Sequence, residues 1–242
     1  AFVDRPLPYR AFFGGGNYAD DGVQLSLLLP TDLYAEIGAG AFRGTGFPAA
    51  GSANSGNGSQ TLFARIGGDS GASQSWLAGV SYLRAKAVER VNGDLTFNGV
   101  SNVYIVDAKY TWSPNGNLAN EFLVLQGEYF RGRSDGNYNA VDYNENSTGW
   151  YAQAVYKFHP QWKVGYRLAR MNAPGVPSAF IGSALDNDGH DPLTQSVLLE
   201  FDNSEFSSLR LQYTRDESGP LTDNAGALLY TISMGAHGAH KY

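Results

Sequence analysis

The residues best equipped for chemistry fall in one short stretch, "DNDGHD", from Asp186 to Asp191. Asp186, Asp188 and Asp191 supply the hard oxygen ligands that calcium or magnesium takes. His190 beside them is the only base set among several carboxylates. The spacing lacks the long loop and closing glutamate of an EF-hand. The other histidines are His159, His237 and His240. His237 and His240 lie three apart, hence on opposite faces of a strand, and a zinc site needs three or four convergent ligands. The chain has no cysteine, which removes thiolate catalysis, disulfides and cysteine metal sites. No G-x-S-x-G elbow occurs. The expectation is no enzyme, no cofactor and no metal site, with Asp186, Asp188, His190 and Asp191 as weak metal candidates in a solvated turn.

A second set of charged residues is spread along the chain at fixed parity. Trp162, Val164, Tyr166 and Leu168 alternate with Lys163, Gly165 and Arg167. Leu209, Leu211 and Tyr213 alternate with Arg210, Gln212 and Thr214. Tyr104, Val106, Ala108, Tyr110 and Trp112 alternate with Asp107, Lys109 and Thr111. Period two is the strand signal. Each strand has one unbroken apolar face with aromatics near its ends, and one face carrying full charges in mid-strand.

The elements that must hold these rows are about twelve candidate strands. They cover residues 9–14, 22–30, 33–43, 60–69, 74–85, 101–112, 121–131, 148–158, 162–171, 193–201, 206–216 and 226–240. Most are close to ten residues, the length of a tilted strand that crosses a bilayer. Short connectors, 30–32, 70–73, 113–117, 159–161 and 202–205, alternate with long ones, 44–59, 86–100, 132–147 and 172–192. Short turns at one end and long loops at the other are the pattern of an up-and-down membrane barrel. Twelve strands also enclose more volume than side chains readily fill. The expected fold is therefore all-β: one antiparallel up-and-down transmembrane β-barrel domain over 1–242, apolar side outward and polar side inward. The alternating C-terminal segment ending at Tyr242 reads as a last strand that pairs with the first and carries a barrel-insertion signal.

Composition agrees. Charged residues are 17% and aromatics 13%, with 30 glycines, a mixture poor for helices. A net charge of −6 disfavours a nucleic-acid partner. No run of about 18 apolar residues marks a transmembrane helix, and no signal peptide stands at Ala1.

The segments "PYRAFFGG", "DDGVQLSLLLPTDLYAEIGAGAFRG", "WLAGVSYLRA", "LQGEYFR", "GHDPLTQS", "SEFSSLRLQYTRDES" and "SMGAHGAHKY" resemble a family of proteobacterial outer-membrane porin-like proteins. That family is often labelled zinc-regulated outer-membrane receptors or TonB-dependent receptors. The resemblance maps to the C-terminal part of the family pattern. It implies a bacterial outer-membrane location and a full barrel of about sixteen strands, by analogy with porins. A TonB-dependent receptor would need an N-terminal plug and about 22 strands. The sequence offers no candidate plug, so the porin-like reading is preferred.

On that reading the lumen is lined by Arg10, Arg65, Lys109, Lys157, Lys163, Arg167 and Arg210, against Glu36, Asp107, Glu128 and Glu200. The balance is roughly +3, which suggests passive diffusion of small hydrophilic solutes or ions with a weak anion preference. Alternatively these charges pair across strands, Asp107 with Lys109 among them. Two other functional readings stay open: a receptor that binds a ligand or metal complex, and a structural barrel without transport. The partners expected are the lipid bilayer, lipopolysaccharide, the barrel-assembly machinery, small solutes and a homo-oligomeric copy.

Overall fold

The computed structural model describes residues 2–15, 17–50, 56–172 and 175–233. A short helix, α1 (Leu7–Phe13), precedes eleven strands. These are β1 (Gly22–Leu28), β2 (Tyr34–Phe42), β3 (Ser59–Ser70), β4 (Gln74–Asn92), β5 (Leu95–Trp112) and β6 (Phe122–Tyr138). They continue as β7 (Val141–His159), β8 (Trp162–Asn172), β9 (Leu193–Ser204), β10 (Ser207–Glu217) and β11 (Asp223–Ile232). Each strand pairs antiparallel with the next, giving one all-β, up-and-down sheet in the order β1 to β11. No β1–β11 ladder closes it among the described residues.

Register keeps the two faces apart. Tyr82 stands opposite Tyr104, which stands opposite Arg131; Gly79 stands opposite Asp107, which stands opposite Glu128. The apolar face is bare. Tyr166 is 45% exposed, Leu209 41% and Tyr213 49%, whereas Arg167 on the other face is 2% exposed. The polar face is also the concave one. Residues 2–18 reach Ser59 on β3 through Tyr18 and Asp216 on β10 through Arg10. Those strands are seven ladders apart, about 34 Å if the sheet were flat. A segment this short touches both only because the sheet curls around it.

The stretch 9–14, expected as a strand, is the end of helix α1. Pro8 sits in its first turn, where no backbone donor is required. Gly14 ends it in the left-handed region (φ 67°) and returns its N–H to the Arg10 carbonyl at 3.0 Å. The helix lies inside the curled sheet. Phe12 stacks on Phe130 of β6 at 5.5 Å between centroids and 11° between planes, and Tyr9 meets the same ring edge-on at 5.2 Å. Gly132 permits this: a Cβ there would stand 2.5 Å from Phe12 Cε1. Leu7, Phe12, Phe13 and Ala49 join Leu83, Val103, Phe130, Tyr151 and Met171 in the main buried cluster. The core is thus assembled between the sheet's inner face and a segment seated on it.

Two of the expected long loops are strand. The ladder of β4 and β5 runs up to a turn at Gly93 (φ 59°), and that of β6 and β7 to a turn at Asn139 and Ala140 (φ 46° and 68°). Positive φ at both central residues, as in the β6–β7 turn, or at the first alone, as in the β4–β5 turn, gives the hairpin turns that suit strand twist. The segments 86–100 and 132–147 are therefore tall hairpins rather than connectors. The expected loops 44–59 and 172–192 fall between β2 and β3 and between β8 and β9, the second with a 3-10 turn at Ser178–Phe180. Phe180 packs on Tyr138 and Tyr143 at 5.9 and 6.1 Å. The last strand among the described residues is β11, which covers Asp223–Ile232 where 226–240 was expected; residues 234–242, with His237, His240 and Tyr242, lie outside the described residues.

Phe130 is fully buried and holds three rings of the inner segment. Phe130→Ala is expected to destabilise the fold by about 3 kcal/mol or more, read as a shift in the urea midpoint of the micelle-folded chain. An unchanged midpoint would show that α1 does not pack there.

Candidate functional site

The inner wall carries its charges in three groups. The first lies at the short-turn end. Lys163 Nζ reaches Glu200 Oε1 at 3.0 Å and Asp202 Oδ2 at 3.1 Å. Lys157 approaches the same Asp202 at 3.7 Å, and Arg210 Nε donates to Glu200 Oε2 at 2.8 Å. Parity places all five on one face of β7 to β10. Asp202 was assigned to a short connector, but β9 continues through it.

The second group fastens the N-terminal segment. Arg167 Nη1 donates to the Asp4 carbonyl at 3.0 Å and Nη2 to Asp4 Oδ2 at 2.5 Å. Gln212 Nε2 donates to Asp4 Oδ1, and the Val3 N–H donates to Gln212 Oε1 at 2.8 Å. The Phe2 ring lies 4.6 Å from the Arg167 guanidinium carbon, close enough for cation–π attraction. A buried guanidinium without a carboxylate would be strongly destabilising, so Asp4 and Arg167 belong together. Burial opposes the Asp4 charge, but the hydrogen bonds from Arg167 and Gln212 outweigh it and hold the carboxyl below its usual range.

The third group is a hydrogen-bond ladder under α1. Glu128 accepts from Tyr9 Oη at 2.7 Å and from Tyr151 Oη at 2.6 Å. Gln126 Nε2 donates to Tyr151 Oη at 3.0 Å, and Gln153 Nε2 donates to Gln126 Oε1 at 3.1 Å. These residues and Arg167 border a cavity of about 220 Å³ beside the segment. A second cavity, about 230 Å³, lies on the other flank of α1, with Glu36, Arg65 and Ser81 in its lining. Arg65 Nη1 stands 3.7 Å from Glu36 Oε2, which also accepts from Tyr34 Oη at 2.6 Å.

Several expectations change against this geometry. Arg10 is on helix α1 rather than on a wall strand, and pairs with Asp216 at 3.1 Å. Asp107 and Lys109 do not pair. Side by side on one strand, they face Glu128 and Gln126 across the ladder, and neither makes an ion pair among the described residues. The other ten lining candidates, Glu36, Arg65, Asp107, Lys109, Glu128, Lys157, Lys163, Arg167, Glu200 and Arg210, occupy inward positions by strand parity. Asp202 and Asp216 also face inward, so the expected cationic excess shrinks towards balance. The sequence offers no candidate plug, yet residues 2–13 lie against the inner wall.

The "DNDGHD" stretch does not converge. Asp186 accepts the Gly182 and Asp188 N–H groups at 2.7 and 3.0 Å. Asp191 pairs with Arg170 at 2.9 Å, and His190 Nε2 meets the Glu217 carbonyl at 2.6 Å. Backbone donors hold the Asp186 carboxyl below its usual range. Each group closes the loop 175–192 on itself or on the wall, and among the described residues they form no cluster around a shared point.

At the long-connection end, Arg90 is buried between the rings of Phe47 and Phe97, 4.8 and 4.6 Å from their centroids. It donates to the Pro48 carbonyl and, at 3.3 Å, to Tyr138 Oη. This fastens the connection after β2 over the β4–β5 hairpin. Strand parity would send Arg90 outward; a bulge between Ala87 and Arg90, with Glu89 at φ 57°, turns it in.

The chain is 28% identical, over 275 aligned residues, to a protein of Aquifex aeolicus (strain VF5) described as uncharacterized; the match covers all of this chain and 55% of that protein. The chain thus spans about half the length of the curated relative it matches. No family model matches it, and no solved structure does.

The Asp4 clasp gives a pH dependence of definite sign. Its carboxyl is lower in the folded state than the ordinary aspartate value near 3.9. Its contribution is therefore complete above that value and is lost as pH falls through the lower folded one. Protease cleavage within residues 2–13 is expected to stay slow from pH 7 to about 4 and to accelerate on further acidification. Asp4→Asn should be cut readily even at pH 7. Equal cleavage of both forms at all pH values would remove the clasp.

Proposed function

We propose that this sheet is the wall of an outer-membrane β-barrel through which small hydrophilic solutes or ions diffuse passively, past a constriction formed by residues 2–13. The observation that carries the reading is the inversion of the usual soluble pattern: the bulky apolar face is exposed and the charged face encloses the interior. Outward apolar side chains with aromatics at both ends suit hydrocarbon flanked by interfaces. An inner wall of tyrosine, glutamine, carboxylate and guanidinium groups replaces hydration for a passing polar solute.

Charge discrimination on this proposal is weak. Lys157, Lys163, Arg167 and Arg210 are neutralised by Glu200, Asp202 and Asp4, and Arg65 stands near Glu36. Of the lining candidates, Lys109, Asp107 and Glu128 make no ion pair among the described residues, and their signs are mixed. The anion preference is thereby reduced to a small one. The solute class is polar and uncharged or weakly charged, and no catalytic group is invoked.

A second reading is favoured by the Asp4–Arg167–Gln212 clasp. A ligand that displaced it would make the barrel a receptor, with the inner segment as the displaced part. Conductance in planar bilayers separates the two. The channel reading expects steady single-channel current for the wild type, a reversal potential within a few millivolts of zero in a tenfold salt gradient, and a larger unit conductance for the Asp4→Asn/Arg167→Gln pair. Silence in the wild type, with current only when the clasp is removed, would favour the receptor; silence in both would end the transport proposal.

A further inference from the structure

The outward face carries a pattern that the lumen does not explain. Strands β2, β4, β6, β8 and β10 all run from a short turn towards the end that carries the tall hairpins and the long connections. In each, the outward apolar run ends on an arginine: Arg43 after Ile37, Ala39 and Ala41; Arg84 after Val80 and Tyr82; Arg131 after Leu125 and Tyr129; Arg170 after Tyr166 and Leu168; Arg215 after Leu211 and Tyr213. The opposite end has no such row. There the outward positions are Trp76, Trp112, Phe158 and Trp162, and no lysine or arginine shares that rim among the described residues. Guanidinium groups are costly against hydrocarbon and nearly neutral near an interface, so the row marks one boundary of the apolar band and not the other.

Three members are held by carboxylates. Arg43 lies 3.8 Å from Asp21, Arg170 is 2.9 Å from Asp191, and Arg215 is 2.8 Å from Glu217. Arg84 and Arg131 are exposed and make no ion pair among the described residues. They flank Asn102 of β5: Arg84 is its register partner, and Arg131 lies opposite Tyr104, one outward position lower. Two ladder spacings put their backbones about 10–12 Å apart, a gap that two arginine side chains span. Asn102 Oδ1 is occupied by Tyr82 Oη at 2.8 Å, which leaves its amide N–H groups to donate outward. Tyr82 and Tyr104 pack ring to ring at 4.9 Å directly below.

We propose that Arg84, Arg131 and Asn102 form a recognition site for the phosphate group of an anionic lipid in the leaflet at the long-connection end. The site lies on the exposed face and rests on the barrel reading above. Two guanidinium forks and an amide donor match the oxygens of a phosphate ester. The tyrosine pair beneath gives the acyl chains an apolar wall immediately below the headgroup. Charge complementarity at a bilayer surface favours such lipids over zwitterionic ones, and the row's confinement to one rim assigns the leaflet.

The test uses the full chain folded in zwitterionic micelles, with retention of added lipid followed by native mass spectrometry. Phosphatidic acid should bind the wild type in preference to phosphatidylcholine. Arg84→Gln/Arg131→Gln should weaken phosphatidic acid binding about tenfold or more, while Arg215→Gln, which removes a charge of the same face from its own carboxylate partner, should leave it unchanged. Equal loss in Arg215→Gln would reduce the effect to net charge and overturn the site. So would equal retention of the two lipids, or full displacement by inorganic phosphate at equimolar concentration, which would make the ligand a soluble anion. If the chain forms no β-sheet in micelles or vesicles, the barrel reading falls and the lipid site falls with it. Folding without lipid preference overturns the lipid site alone.

Discussion

Arg167 is a guanidinium almost withdrawn from water, set in a sheet whose opposite face is bare apolar side chains. Such a group is tolerable only with its charge matched and its donors engaged. The sheet supplies Ser196 at 3.4 Å to Nη2, and the N-terminal segment supplies the Asp4 carboxylate and carbonyl and the Phe2 ring, so that both terminal nitrogens are engaged and Nε alone lacks a partner. The seating of that segment and the burial of Arg167 are thus one event. Without the segment Arg167 would face the open interior; with it, the guanidinium is buried beside the cavity that Gln126, Glu128 and Tyr151 also line.

The same interdependence accounts for the unequal filling of the interior. A curled sheet of eleven strands encloses more space than its own inward side chains fill. Towards the long connections the inward residues are Leu83, Val103, Phe130 and Met171, and rings from α1 complete that cluster. Towards the short turns they are Lys157, Lys163, Glu200, Asp202 and Arg210, which satisfy one another across neighbouring strands and leave the space beside them polar. The polarity gradient along the wall follows from which inward positions are aromatic, and the inner segment lies where aromatics predominate. Arg90 repeats the device near the rim, where two rings and a carbonyl replace water around a second guanidinium.

Much of this wall was legible in the sequence because period two survives in nearly every strand. The parity of Arg65, Lys163, Arg167 and Arg210 needed no knowledge of their partners. What was missed has specific causes. Tyr9, Ala11 and Phe13 alternate like a strand, and the stronger signal, Pro8 followed by Gly14 and Gly15, is a helix start and stop. Asn92-Gly93 marks a hairpin turn, but polar, glycine-rich flanks made the tall hairpin look like a loop. Arg90 could not be oriented by counting, since one bulge reverses parity. The clasp joins residues 163 positions apart in the chain, and no local pattern carries such a contact. The outward arginine row is legible by the same parity, one residue per hairpin at the end of each apolar run.

The replacement of the expected first strand by a helix also alters how the sheet can close. Twelve up-and-down strands would leave the first and last antiparallel, free to pair directly. Eleven leave β1 and β11 pointing the same way, so an antiparallel ladder cannot join them without an odd number of intervening strands. Both edges continue the apolar row outward, through Val23, Leu25 and Leu27 on β1 and Leu228, Tyr230 and Ile232 on β11. Unpaired backbone beside such a row is untenable in hydrocarbon and prone to association in water. Whatever closes the sheet must therefore pair antiparallel with both edges at once and keep the same inward and outward parity.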